Sequence, residues 1–264
     1  MAQATRDPLF VVVEAESFTD RHLAALAAGT AAAVRVPGFL DPASCAAALG
    51  ALDGLPVTTY DPRRVPTRVI RFGPALNDFR DGNGGLDGEG YWPAAEAARL
   101  AWARAHPRPD PVAVALGGLG AAQGGAVTPA TVGGRAVFGA TVREINEGTL
   151  IHCDEVVREL PDGFDQAVVA QLAFNLWVAA PTRGGETLIW RRRQQPEDEA
   201  HRDAYGYRPS AVEGCQRLSL RPRVGDALLF NPVHLHAVNP CEGRRVAFAF
   251  FLGLTVSDGL IAWS

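Results

Sequence analysis

Gly225-Asp226-Ala227-Leu228-Leu229-Phe230-Asn231-Pro232-Val233-His234-Leu235-His236-Ala237-Val238-Asn239-Pro240-Cys241-Glu242-Gly243-Arg244-Arg245-Val246-Ala247-Phe248-Ala249-Phe250-Phe251-Leu252-Gly253 holds three short apolar runs divided by turn residues. Runs of this length, broken by Asn-Pro and Glu-Gly, read as β-strands at 226–231, 235–239 and 245–252. Working backwards, the same pattern predicts strands at 136–145, 149–153, 168–179, 186–191 and 216–221, with Gly184-Gly185 and Pro222 to Gly225 as punctuation. Many short strands at this spacing predict a sandwich or jelly-roll barrel.

Before residue 135 the pattern differs. Residues 9–13 form a short apolar strand candidate, and Val34, Val36, Phe39 and Leu40 lead into Asp41-Pro42. Asp followed by Pro is a helix start, with a capping side chain and a residue that needs no amide partner. The helix it opens is expected to bury Cys45, Leu49 and Leu52. A second helix is expected from Asp110-Pro111, with Val112, Leu116 and Leu119 on one face. Residues 77–90, rich in Asp, Gly and Asn, read as an exposed loop. The run 117–124 has GxGxxxG spacing followed by Thr128-Pro129, which reads as a glycine-rich helix end and not as a dinucleotide loop.

At 264 residues, 47% hydrophobic and 20% charged, the chain suits one sizeable domain and is not of disordered composition. All 25 basic residues are Arg, and the net charge of −4 gives no basis for nucleic-acid or anionic-membrane binding. Cys45, Cys153, Cys215 and Cys241 form no CxxC pair, so a reducing cytoplasm is the expected setting and a structural zinc site is not. Neither a signal peptide nor a membrane span is expected, because no basic leader precedes an apolar stretch and no long apolar run occurs.

His152 and Asp154 are two apart, so on an extended strand both side chains point to one face while Cys153 points to the other. One strand can thus give an imidazole and a carboxylate to a single ion. His234 and His236 both offer a third ligand. Two His and one carboxylate on one face of a metal leave the opposite face open, the donor set of non-haem Fe(II) oxygenases. Nine positions after His236 stands Arg245. Residues 245, 247 and 249 are Arg, Ala and Ala, whereas 246, 248 and 250 are Val, Phe and Phe. The small face leaves room for a ligand beside the guanidinium, whose planar fork suits a carboxylate. On this argument Arg245 is preferred to Arg244, which reads as a surface ion-pair residue.

The phrase from Gly225-Asp226 through His236 to Arg245 resembles the C-terminal half of the Fe(II)/2-oxoglutarate-dependent oxygenase family. The resemblance covers most of Arg143 to Gly253 and, more faintly, Val36 to Leu40. It is nearest to small standalone members that hydroxylate or halogenate free metabolites in natural-product pathways. Ile145-Asn146-Glu147-Gly148, Gln171 to Asn175, Gly184 to Thr187, Trp190 to Arg193 with Pro196 to Glu199, and Tyr205-Gly206-Tyr207 belong to that likeness.

The resemblance implies an α+β, mainly β, fold with a double-stranded β-helix (jelly-roll, cupin-like) core at 135–255. Residues 1–134 would supply supporting helices within one oxygenase domain spanning 1–264. It selects His236 over His234, makes His152, Asp154 and His236 ligands of Fe(II), and gives the distal carboxylate of 2-oxoglutarate to Arg245. O2 is then the other co-substrate and a small metabolite the substrate. In halogenating members Gly or Ala replaces the carboxylate ligand, so Asp154 implies hydroxylation.

Asn175 and Thr187 are expected near 2-oxoglutarate, with Trp190 in the same cavity. Glu155 and Arg158 are placed near substrate, Arg191 to Arg193 are expected to pair with nearby acids, and His22, His106 and His201 are expected at the surface or as caps. Two other readings keep the jelly roll: a 2-oxoglutarate-independent cupin-type metalloenzyme, and a non-enzymatic ligand-binding module.

Overall fold

The computed structural model describes residues 7–161, 163–257 and 259–264. Its principal strands are β1 (Val12–Glu14), β2 (Ala33–Val36), β3 (Val69–Phe72), β4 (Thr141–Ile145), β5 (Val168–Ala179) and β6 (Thr187–Arg193). They continue with β7 (Arg217–Leu220), β8 (Ala227–Phe230), β9 (His234–Val238), β10 (Val246–Thr255) and β11 (Leu260–Trp263). Four longer helices accompany them: α1 (Asp20–Ala28), α2 (Pro42–Leu52), α3 (Gly88–Ala105) and α4 (Pro111–Gln123).

The larger sheet is mixed and runs β1-β2-β8-β5-β10-β4-β3, with β11 added to the far half of β10. Its spine is the long antiparallel pairing of β5 with β10, from Ala179 opposite Val246 to Val168 opposite Thr255. The second sheet runs β7-β6-β9. Isolated pairs His152–His236 and Ile151–Tyr207 extend it beyond β9. Strands from both sides of residue 135 therefore enter the large sheet.

Side-chain alternation sorts the residues into layers. Leu172, Phe174, Leu176 and Val178 of β5, with Val246, Phe248, Phe250 and Leu252 of β10, pack on Leu23, Leu26, Cys45, Ala48, Tyr91, Ala95, Ala115 and Leu119 of the helices. Each fully buried Leu or Phe there contributes roughly 1.5–3 kcal/mol. The opposite face sends Ala173, Trp177, Leu228, Phe230 and Ala247 toward Ile189 and Leu220 of the second sheet. A third cluster, Leu188, Trp190 and Leu235 with Tyr207, Ala211 and Val212, covers the outside of the second sheet.

The helix starts at Asp41 and Asp110 are as expected. The Asp41 side chain accepts from Ser44 N at 2.9 Å, and the Asp110 side chain from Val112 N at 2.9 Å. On α2, however, Cys45, Ala48 and Leu52 are the buried positions, with Leu49 only partly so. On α4 the buried positions are Ala115 and Leu119, while Val112 and Leu116 lie at the margin. Small alanines let both helices sit close to the sheet, and the larger residues fill the flanks. Gly124 ends α4 with φ 78°, the left-handed cap.

The 149–153 strand is an extended segment held by bridges alone. The 77–90 loop begins with a 3-10 turn, Leu76–Phe79, and ends inside α3. No helix among the described residues is long and apolar enough to cross a membrane.

Candidate active site

His152, Asp154 and His236 converge, each offering one ligand atom, with all three atoms within 4.8 Å of one another. Backbone pairing sets this up. His152 N donates to His236 O at 2.9 Å and His236 N to His152 O at 2.8 Å, so the two imidazoles are cross-strand neighbours with ring centroids 4.3 Å apart. Asp154 N donates to Pro232 O at 3.0 Å, which brings the carboxylate to the same end of β9.

Each imidazole has its Nδ1 on a carbonyl two residues back: Leu150 O at 2.8 Å for His152, and His234 O at 2.9 Å for His236. That contact places the proton on Nδ1 and leaves the Nε2 lone pair for a metal. Both Nε2 atoms face Asp154 Oδ2, at 3.9 and 3.4 Å. Burial, then the neighbouring His236, pushes His152 down to about 4, so it is neutral and able to ligate at pH 7. Burial raises the Asp154 carboxyl, but the His152 and His236 rings beside it outweigh that and hold it below the usual carboxylate range, ionised. Donor chemistry, tautomers and open face all fit a divalent metal.

His234 is turned elsewhere. Its ring meets Phe10 edge-on at 5.5 Å, and it lies outside the ligand cluster.

Arg245 is 2% exposed. Its Nε donates to Gly185 O at 2.9 Å and an Nη to Thr187 Oγ1 at 3.0 Å. Among the described residues, no carboxylate forms an ion pair with it. Burial pushes its guanidinium down to about 10. An unpaired buried cation is costly and calls for an anion. Gly185 permits this approach: it has φ 75°, and a Cβ there would lie 3.2 Å from Arg245 Cδ.

Arg245 lines a pocket together with Thr187, Asn175, Ala247, Ala249, Phe230 and the metal donors. Asn175 makes no side-chain hydrogen bond among the described residues, leaving its amide available there. Trp190 does not join this pocket. Thr187 and Trp190 are three apart on β6, hence on opposite faces, and Trp190 packs in the outer cluster. Arg244 pairs with Glu144 at 2.9 Å on the surface.

In front of the metal donors opens a cavity of about 380 Å³. It is lined by Tyr60, Arg64, Asn77, Asp78, Arg80, Glu155, Arg158, Glu159, Arg202, Tyr205 and Tyr207. Glu155 and Arg158, expected near substrate, line this cavity. Arg64, Arg80, Asn77, Asp78, Glu159 and the neighbouring Arg143 were missed. The signal for Arg143 was a lone arginine on the inward face of a strand; the loop residues carried none. Arg191 and Arg192 are engaged by Asp7 and Asp198, at 2.5 and 2.6 Å. His106 caps α3, and His201 Nδ1 meets Ser210 Oγ at 2.8 Å.

No family model matches the chain. It is 47% identical over 258 residues, 97% of its length and 96% of the other's, to an L-gamma-glutamyl-L-propargylglycine hydroxylase of Streptantibioticus cattleyicolor. The chain belongs to the Fe(II)/2-oxoglutarate-dependent oxygenase family. A second relative, Leucinostatins biosynthesis cluster protein S of Purpureocillium lilacinum, is 33% identical over 145 residues, 50% of this chain and 59% of that one. Among solved structures, an N-substituted L-amino acid dioxygenase from Burkholderia ambifaria superposes with TM-score 0.62 at 20% identity, covering 93% of this chain and 92% of that one. A Burkholderia pseudomallei oxidoreductase of the 2OG-Fe(II) oxygenase family gives 0.51 at 13% identity, with 93% and 94% covered. Both superpositions concern the fold.

The enzyme is a 2-oxoglutarate-dependent non-haem iron oxygenase, with hydroxylation favoured and a small molecule as substrate. Fe(II), 2-oxoglutarate and O2 are the cofactor and co-substrates of this class, and the residues present fit them. When bound, Fe(II) would supply the chemistry that lets O2 act as the oxidant, taking two electrons from 2-oxoglutarate, which leaves as succinate and CO2, and two from the substrate C–H bond. The protein's own share is to place two imidazoles and a carboxylate on one face, keep a guanidinium dry, and leave the opposite side open to a polar cavity.

Proposed function

We propose that this enzyme hydroxylates the amino-acid side chain of a γ-glutamyl dipeptide. The observation that carries the substrate class is the 47% identity, across nearly the whole of both chains, to a hydroxylase of such a dipeptide. The polar cavity of about 380 Å³ supports it, being roomy enough for a small peptide and open to the metal donors.

In this reading His152, Asp154 and His236 would hold Fe(II). Arg245 would receive the distal carboxylate of 2-oxoglutarate, assisted by Thr187, while Asn175 would donate toward the co-substrate. The two facing sheets form a double-stranded β-helix, and residues 1–264 act as one oxygenase domain. The four cysteines are free, in keeping with a cytoplasmic enzyme.

The test is incubation of Fe(II)-loaded protein with 2-oxoglutarate, O2 and L-γ-glutamyl-L-propargylglycine. The expected result is a dipeptide that has gained one oxygen atom, with succinate released in equal amount. Absence of dipeptide-stimulated succinate overturns the substrate class. Turnover that persists when 2-oxoglutarate is omitted would instead favour a cupin-type metalloenzyme.

A further inference from the structure

Charges of both signs surround the cavity, and most are already matched within the protein. Arg64 is held by Asp78 at 3.1 Å and by Asn77 O at 3.0 Å, and Asp78 also pairs with Arg71. Arg202 is held by Glu199 at 2.7 Å and lies over the Tyr207 ring. Arg158 donates to Gln194 at 2.8 Å, with Glu155 at 3.8 Å.

Among the described residues, three charges remain uncommitted. Arg143 makes no hydrogen bond or ion pair, and its Nε is shut off from solvent. It stands on the inner face of β4, opposite Ala247 of β10 and Arg71 of β3. There it lines both the Arg245 pocket and a recess shared with Asn77, Asp154 and Glu159. Arg80, on the exposed rim, likewise has no hydrogen bond or ion pair for its side chain. Glu159 is half-buried; its carboxyl takes only a long contact from Glu155 N, 3.4 Å to Oε1, and burial, then the charge of Asp154, raises it to about 7, so a cation beside it would hold it ionised.

A charge held partly out of water without a full partner is destabilising, so a bound ligand of opposite sign gains at Arg143 and at Glu159, while Arg80 on the exposed rim is free to meet a second anionic group. Two cations without an anionic partner and one carboxyl that a cation would hold ionised select a ligand with two anionic groups and one cationic group. A γ-glutamyl amino acid carries two carboxylates and one ammonium. A free neutral amino acid has one of each, and a simple N-acyl amino acid has one carboxylate only. Arg80 and Glu159 line the same cavity, so a carboxylate and an ammonium borne on one carbon can meet both. Arg143 stands beside Asp154, so a carboxylate bound there brings its adjoining carbons to the metal donors.

Resting on the γ-glutamyl reading above, we propose that Arg143 binds the C-terminal carboxylate of the dipeptide, while Arg80 and Glu159 bind the α-carboxylate and ammonium of its glutamyl head.

The test is calorimetric titration of Ni(II)- and 2-oxoglutarate-loaded protein, inert to turnover, with L-γ-glutamyl-L-propargylglycine and with its C-terminal amide. Wild type is expected to prefer the acid by at least about tenfold, the worth of one hydrogen-bonded ion pair. In Arg143→Gln the preference should collapse through weaker acid binding, with amide binding and 2-oxoglutarate affinity nearly unmoved. Arg143→Lys, which keeps charge but not the fork, should fall between. In parallel, Glu159→Gln should erase the preference for the free ammonium over its N-acetyl form, and Arg80→Gln the preference over the analogue lacking the α-carboxylate. An acid-to-amide ratio in both Arg143 variants equal to that of wild type overturns the Arg143 assignment, as does a loss confined to 2-oxoglutarate affinity. Wild type that binds the dipeptide with an unmoved ratio in the variants leaves the γ-glutamyl reading standing. Wild type that binds neither peptide overturns that reading and this assignment together.

Discussion

Two carbonyl contacts to imidazole Nδ1 atoms and one carboxylate between the Nε2 atoms define the chemistry of this site. Replacing Asp154 with Gly removes the only acidic member of the triad. Asp154→Gly should lower coupled hydroxylation by about 100-fold or more, as loss of a positioned charged group does. Full activity in that variant, measured by product formation, would contradict its role as a ligand. Arg245→Gln should weaken 2-oxoglutarate binding by about 10- to 100-fold, since a charge-assisted pair is worth about 1.5–3 kcal/mol. Equilibrium titration checks this, and an unchanged affinity refutes the clamp. At this scale the sequence was legible where spacing encodes geometry. A separation of two puts His152 and Asp154 on one face, and Arg245 stands beside the small face of its strand. It was not legible for Arg80 and Glu159, because the one follows a single 3-10 turn and the other ends a four-residue helix, both too short for a period to show where a charge points.

Strand β10 shows how an element serves two ends. Its bulky face, Val246, Phe248 and Phe250, packs on the helices, and its alanine face, Ala247 and Ala249, lines the Arg245 pocket. Ala249→Leu should fill that pocket and abolish 2-oxoglutarate binding, at an overpacking cost of about 1–3 kcal/mol in stability. Retained binding in a folded variant would show that the co-substrate lies elsewhere. Gly148 sets the start of the His152 segment. It has φ 82°, and a Cβ there would lie 2.7 Å from Val238 O. Gly148→Ala should cost about 2 kcal/mol or more through strain and displacement of the segment from β9. Denaturant unfolding checks this, and an unchanged midpoint refutes it. The strands 168–179 and 245–252 were readable because their alternation is strong. Helix α3 was not, because beyond Tyr91 its buried face is made of Ala95 and Ala98, which leave little hydrophobic contrast. Strands β3 and β11 are four residues each, too short to show a period.

Across the whole molecule, helices cover one face of the large sheet, and the metal donors stand at the other face, toward the second sheet. The buried Arg35–Asp226 pair, with Gly38 N donating to Asp226 at 3.0 Å, ties β2 to the turn before β8. Because the ligands come from separate segments, metal and co-substrate should bind only the folded chain. Adding Ni(II) and 2-oxoglutarate at about 100 times their dissociation constants should stabilise it by about 2.7 kcal/mol per independent site. Differential scanning calorimetry should show a higher Tm for wild type and no metal-dependent shift for a His152→Ala, His236→Ala double variant; an equal shift in both would refute the assignment. Under the proposed function, this site couples 2-oxoglutarate and O2 to hydroxylation of a γ-glutamyl dipeptide. The most direct measurement of that coupling is mass spectrometry of a turnover mixture containing L-γ-glutamyl-L-propargylglycine under isotopically labelled dioxygen. One labelled oxygen atom is expected in succinate and one in the hydroxylated dipeptide. Label in succinate with the dipeptide unaltered, or a hydroxylated dipeptide formed without succinate, would contradict it.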